Sequence, residues 1–440
     1  MRTPKSPHLD GFQQRHVNSW YAASTDLGQS YPRLERESLD TEVCVIGGGF
    51  TGLSCALELA ERGTRVILLE GGLIGFGASG RNGGQVLHGF ACASQQIEQQ
   101  LGRDAARLCW QLSRQALDRL SARVNQHQID CDLRWGYLTA ASTQRQMNAL
   151  REQEQTLQRY DYHQTQLLTK SELAQQIVSP AYIGGLHDTG CGHLHPLRYA
   201  QGLARAAHQA GVKIHEQSRA SKITPSSDLI TIQTASGGQV RAQRLVLACN
   251  VDIGALDRPL AQRFLPVMSH IVATEPLSNE LASQLLPSNT AVCDSNHVLN
   301  YFRLSSDRRM LFGGRLKHPQ AGDAHIRQER QAELARIFPL LANSRIDYSW
   351  GGYIDMGLNK TPQFGQSHPR IYYAQGFAGH GVALTGLAGQ LIAQAIHQEN
   401  AGFDLFARLK SRAIPLHRYS AAPLVRLGVM FYRMRDRLGL

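Results

Sequence analysis

The chain has 440 residues, 42% hydrophobic and 18% charged, enough to bury full cores in two domains. With no apolar run near the roughly 18 residues of a membrane span, no signal-peptide pattern and eight cysteines without a CxxC pair, it reads as a soluble, cytoplasmic protein with reduced thiols and no metal. The formal charge of +11 raises the question of nucleic acid, but +7 of it falls between Arg408 and Leu440, so no nucleic-acid surface is expected on the body.

Residues 1–40 are a polar, irregular leader. In a first nucleotide-binding part, 41–94, Val43-Cys44-Val45-Ile46 predicts a buried strand. Leu53, Ala56, Leu57 and Ala60 predict a helix ended by Gly63, and Val66-Ile67-Leu68-Leu69 a second strand, completing a βαβ unit. Residues 95–190 read as long helices plus substrate-domain elements, and nothing between Gln95 and Gln166 suggests chemistry. A second nucleotide-binding part, 191–258, opens with His193 and His195 approaching a helix that has Pro196 in its first turn, a pairing without further metal ligands. That part ends on the sheet run Leu245-Val246-Leu247-Ala248. Residues 259–350 change to short strand-like runs with one helix near Arg327 to Ile337, the candidate substrate domain. Residues 351–407 return to the nucleotide-binding domain through a strand at Ile371 to Ala374, a glycine-rich turn from Gly376 to Gly381 and a helix from Val382 to His397. In the basic tail, 408–440, Leu424, Leu427, Phe431, Met434 and Leu438 share one helix face, which can pack on the body or give peripheral contact with an anionic membrane.

Gly47-Gly48-Gly49-Phe50-Thr51-Gly52 fits G-x-G-x-x-G between a predicted strand and helix. Gly47 allows the tight turn, Gly49 the approach of a pyrophosphate and Gly52 close packing, with Phe50 and Thr51 opening the helix. Glu70 ends the second strand, where an acid accepts hydrogen bonds from ribose hydroxyls. The stretch from Gly75 to Gln85 supplies Ser79, Arg81, Asn82, Gly83, Gly84 and Gln85 as a flexible backbone with polar side chains that can lie against a flat ring. Far downstream, Gly376, Gly379, His380, Gly381 and Val382 open a helix whose N-H groups can stabilise negative charge on a reduced flavin. Together they point to FAD. No second unit of strand, G-x-G-x-x-G and helix appears, so electrons are expected to enter from an organic substrate.

On the leader phrase Trp20-Tyr21-Ala22-Ala23-Ser24, the stretch from Val43 to Gly63, Gly75 to Gln85 and Gly376 to Val382, nearly the whole chain resembles the FAD-dependent family of D-amino-acid, sarcosine and glycine oxidases, closest to its γ-glutamylputrescine oxidases. The resemblance implies an α/β (overall α+β) protein with a glutathione-reductase-type FAD-binding Rossmann domain and a mostly antiparallel substrate domain over the flavin. It also implies that the leader packs near the active site. The activity implied is oxidation of γ-glutamylputrescine or a related γ-glutamylated polyamine to imine, then aldehyde and ammonia, with O2 as acceptor and H2O2 as product.

Two departures matter. Sarcosine oxidases follow the Gly-His-Gly phrase with an aromatic residue and a carboxylate-gripping lysine, where this chain has Val382 and Ala383; and no cysteine occurs from Trp350 to Gln375 to anchor flavin, so FAD is expected to be noncovalent. Arg303 and Arg315 are the cations left for a substrate carboxylate. His380 is the candidate nearest the chemistry, with His88, Tyr301, Arg303 and Tyr353 as candidates for the substrate pocket. The alternatives are an amino-acid or secondary-amine dehydrogenase feeding a membrane quinone, and a flavin-containing RNA-binding protein.

Overall fold

The structure is a computed structural model that describes residues 15–296, 298–314 and 322–414, with Met434. Arg315 and the tail expected to form an amphipathic helix, Met434 apart, lie outside the described residues.

Five parallel strands make the centre of the first sheet, in the order Lys213–His215, Val66–Leu69, Ser38–Ile46, Gln239–Leu247 and Ile371–Gln375. Gln363–His368 pairs antiparallel at one edge, and a hairpin of Ala220–Pro225 and Ile230–Thr234 pairs with the first half of Gln239–Leu247. The central runs are apolar throughout because both faces are covered. The pleat divides them: Val43 and Val45 face a core with Leu53, Leu57 and Ile392, while Cys44 and Ile46 face Ile230, Ile232 and Leu260. Helices Phe50–Glu61, Pro196–Gln209 and Leu384–Ile396 supply buried residues to the first of these cores.

The second sheet has nine strands. Its order is Ile346–Met356, Leu265–Thr274, Met310–Gly314, Asn300–Leu304, Ala291–Asp294, Arg134–Ala141, Gly184–His193 and Gln85–Val86, with Thr165–Thr169 also on Gly184–His193. Its pairings are antiparallel except between Ala291–Asp294 and Arg134–Ala141. Phe302, Phe312 and Phe338 pack behind it.

Two expectations change. Long helices do occupy Arg103–Gln126 and Gln144–Arg159, but the strand Arg134–Ala141 stands between them, and it carries site residues. The substrate sheet has elements within 95–190, as expected, but also takes in Gln85–Val86 from the expected nucleotide-binding part and runs to Met356, past the expected limit at 350. In the leader, Trp20–Ala23 is a short helix capped by Ser19, and Trp20 and Tyr21 are buried with Leu197, Ile271 and Trp350.

Glu58 joins two helices of the nucleotide-binding half. Its buried carboxylate accepts from Arg62 Nε at 3.3 Å and Arg123 Nη2 at 3.1 Å, and pairs also with Arg119. Arg123, on Arg103–Gln126, has a side chain only 4% exposed, so removing its partner strands a buried cation. Glu58→Gln is expected to lower unfolding stability by about 3 kcal/mol, read as a lower urea midpoint.

Candidate functional site

Two cavities adjoin, and their shared lining includes Ala78, Asn82, Gly379 and Val382. The first, about 710 Å³, runs past the ends of the parallel strands, the usual ligand position in such sheets. The second, about 430 Å³, lies between the stretch from Arg81 to His88 and the second sheet.

The first cavity is built around the start of helix Phe50–Glu61. Gly47 has φ +117°, and a Cβ there would lie 2.4 Å from the Ala248 carbonyl oxygen; a Cβ on Gly52 would lie 1.9 Å from the Gly47 oxygen. Only glycine lets strand and helix meet so tightly. Ser79 Oγ accepts the Phe50 N-H at 2.9 Å, and Gly49, Thr51 and Ser79 line the cavity. No side chain of the cap residue closes this helix, so its positive end faces the space a phosphate needs. Glu70 accepts N-H groups from Gly48 at 2.6 Å and Gly72 at 2.7 Å, which fixes its carboxylate in the cavity wall. Burial pushes its pKa up to about 7, against the pull of those two donors. Asn250 and Asp252, which the sequence did not single out, also line this cavity, and Asn250 Oδ1 is buried with no hydrogen-bond partner.

The C-terminal glycine turn closes both cavities. The Asp355 carboxylate, at the end of Ile346–Met356, accepts the N-H groups of Gly376, Phe377 at 3.2 Å and Ala378 at 3.2 Å. Burial raises its pKa to about 6. Helix Leu384–Ile396 then starts without a side-chain cap, and Gly379, Gly381 and Val382 line the first cavity. Ala383 is buried in the core.

His380 lines the second cavity, and its Nε2 lies 2.7 Å from the His88 carbonyl oxygen. A carbonyl only accepts, so Nε2 carries the proton and Nδ1 the lone pair. Burial pushes this imidazole down to about 4, so it is neutral at physiological pH. Arg81 donates to the Phe76 and Gly351 oxygens, while its Nη2 is buried without a partner, a donor the cavity leaves for a ligand acceptor.

Of the other expected residues, Gly83, Gln85, His88, Tyr301 and Tyr353 line the second cavity. Gly52, Gly84 and Gly376 line neither and act in packing and turns. Asn82 borders both cavities, but its amide is spent on the Ala78 and Ser79 oxygens and the Gly84 N-H. Arg303 is a correction: it lines neither cavity, and its guanidinium bonds the Gly83, Leu194 and Leu304 carbonyls and the Tyr21 hydroxyl. It ties the leader to the loop beneath the cavity, with four of its five N-H donors engaged away from both cavities. Sequence reasoning missed Tyr137, Thr139, Asp188 and Cys191 in the cavity wall. His88, Asp188 and Cys191 bring possible metal ligands within 4.8 Å of one another, but His88 already bonds Asp188 and burial pushes the Cys191 thiol far up, so it stays protonated.

Comparison with known proteins agrees with this geometry. The FAD dependent oxidoreductase family, DAO, matches residues 42–395. The chain is 40% identical over 429 residues to a probable oxidoreductase, OrdL, of Haemophilus influenzae, covering 96% of this chain and 98% of that protein. It is 38% identical over 426 residues to the gamma-glutamylputrescine oxidoreductase of Escherichia coli, covering 97% and 99%. Glycine oxidase from Geobacillus kaustophilus has a similar fold, with TM-score 0.70 at 22% identity over 86% of this chain and all of that one.

Glu70 and Asp355 give two tests. An ionised carboxylate is the stronger acceptor for ribose hydroxyls, so a ribose held by Glu70 should make FAD bind more tightly as pH rises through about 7, and Glu70→Gln should abolish that slope in a fluorescence titration. Asp355→Ala leaves three backbone N-H groups without their acceptor; it should cost about 3 kcal/mol in unfolding stability and yield purified protein with less bound FAD.

Proposed function

The chain belongs to the DAO family of FAD-dependent oxidoreductases, and from that premise we propose that it oxidises γ-glutamylputrescine, or a closely related γ-glutamylated polyamine, at its terminal amine. The products are an imine, hydrolysed to aldehyde and ammonia, and hydrogen peroxide from dioxygen. Noncovalent FAD is part of this reading, since no cysteine occurs between Trp350 and Gln375.

The observation that carries the reading is the make-up of the second cavity. Its walls include Tyr137, Tyr301 and Tyr353, Asp188 is the one carboxylate among its described lining residues, and position 383, a carboxylate-gripping lysine in sarcosine oxidases, is a buried alanine. The aromatic and carboxylate groups suit an alkylamine, while Arg81 and Lys360 in the same lining suit the distant carboxylate of a γ-glutamyl unit. Similarity to the E. coli gamma-glutamylputrescine oxidoreductase along almost the full length of both chains supports the same choice.

Bound FAD supplies the two-electron acceptor for hydride leaving the carbon that bears the amine. The cavity residues prepare the substrate. A free alkylamine has a pKa near 10, so entry into a partly apolar, enclosed space favours the neutral amine that can release hydride. His380, neutral and oriented by its bond to the His88 carbonyl, offers a lone pair at Nδ1 without adding charge. Arg81, with one unpartnered donor, suits an electron-rich ring edge.

The test is anaerobic bleaching of the oxidised-flavin band by γ-glutamylputrescine, free polyamines and D- and L-amino acids, followed by ammonia and peroxide assays in air. Rapid bleaching by γ-glutamylputrescine with matching ammonia and peroxide is the expected result. Reduction by α-amino acids alone would sink the amine assignment, and reduction without peroxide in air would replace dioxygen by another acceptor.

A further inference from the structure

Asp188, on the strand Gly184–His193, is buried in the wall of the second cavity and surrounded by donors. Its Oδ2 lies 2.8 Å from His88 Nε2, and its Oδ1 accepts the Gly190 N-H at 2.9 Å and the Tyr162 hydroxyl. The His88 ring is held in turn edge-on against Trp110 and Tyr162. A carboxylate has about four lone-pair sites; beside these three donors it has only the weak S-H of Cys191 named against it, which a stronger donor entering the cavity can displace.

Despite burial, those hydrogen bonds hold the Asp188 carboxyl below its ordinary range. It therefore stays ionised and makes a poor proton acceptor. A fixed anion beside the reacting nitrogen would stabilise the ammonium, the form that cannot release hydride. It is the wrong partner for that nitrogen and the right one for a cation that remains a cation throughout the reaction. The same anion, enclosed in a cavity wall, gains most when a cationic ligand completes it.

We propose that Asp188 anchors a second, unreacting ammonium group of the substrate, so that the enzyme selects amines with a cationic nitrogen at each end. His88 is a positioning residue: its imidazole orients the Asp188 carboxylate while its carbonyl accepts from His380, which links the anchor to the glycine turn over the cofactor. The second ammonium has two chemical sources, the α-amino group of a γ-glutamyl unit or the far nitrogen of a simple diamine. This inference rests on the amine reading and adds to it a requirement on the rest of the substrate.

Anaerobic titration of flavin reduction in the holoenzyme with two matched pairs tests it. The first pair is γ-glutamylputrescine and glutarylputrescine, which lacks only the α-ammonium; the second is putrescine and n-butylamine, which lacks only the far one. In one pair the two-ammonium member should reduce the flavin with an apparent Kd at least about tenfold lower, equivalent to about 1.4 kcal/mol, and that pair identifies the ammonium held. Asp188→Asn, checked for a wild-type oxidised-flavin spectrum, should erase the difference by weakening the two-ammonium member alone. Equal Kd values within both pairs in the wild-type enzyme overturn the anchor while leaving amine oxidation standing, and this comparison needs no variant to fold. A difference that survives Asp188→Asn also overturns it. Reduction by none of the four overturns the amine reading, and the anchor with it.

Discussion

The three backbone N-H groups that converge on Asp355 hold the two halves of this protein in register. The carboxylate sits at the end of a strand of the substrate sheet, and its donors are consecutive residues of the turn that leads into the helix Leu384–Ile396 of the nucleotide-binding domain. One buried anion thus fixes the height of the glycine turn between two cavities. Without it, Gly379 and Val382, which both cavities share, would have no fixed place. The raised pKa of Asp355 shows what the arrangement costs, because even three donors do not fully replace the water it has lost.

The legible parts of the site were those written locally. A buried strand, a glycine cluster and a helix in immediate succession state their own geometry, and Glu70 follows from the length of the unit, so the first cavity's floor could be read without a fold. Asp355 gave no such signal: a single acid in a strand has meaning only once the turn twenty residues later folds onto it. Tyr137 and Asp188 face one another across paired strands, a neighbourhood set by sheet register and not by sequence distance. The strand Arg134–Ala141 escaped notice because its polar, partly exposed start, Arg134 and Trp135, hides the alternation that buries Leu138 and Ala140. Arg303 misled for a related reason. A strand residue can point to either face, and this one points to the Tyr21 hydroxyl of the leader and to the Gly83 and Leu194 carbonyls.

The second cavity derives its character from the order of its polar groups. A neutral imidazole stands on the cofactor side, an ionised carboxylate stands farther into the sheet, and a main-chain carbonyl of His88 lies between them. Each is held in place by a fixed partner, so little reorganisation is needed when a ligand arrives. The thiols of Cys191 and Cys293 in the same wall are kept protonated by burial, which keeps them poor nucleophiles.

The interleaving of the first sheet also bears on how the protein is made. Ser38–Ile46 leaves a ribosome more than three hundred residues before Ile371–Gln375 and Leu384–Ile396, the elements that complete the sheet and core it begins. Until then its apolar face must wait, covered by provisional contacts or by a chaperone. Such long-range closure gives high contact order and slow final docking. A ligand that binds only the docked arrangement stabilises it by mass action, so bound FAD would act as a clasp on the finished topology.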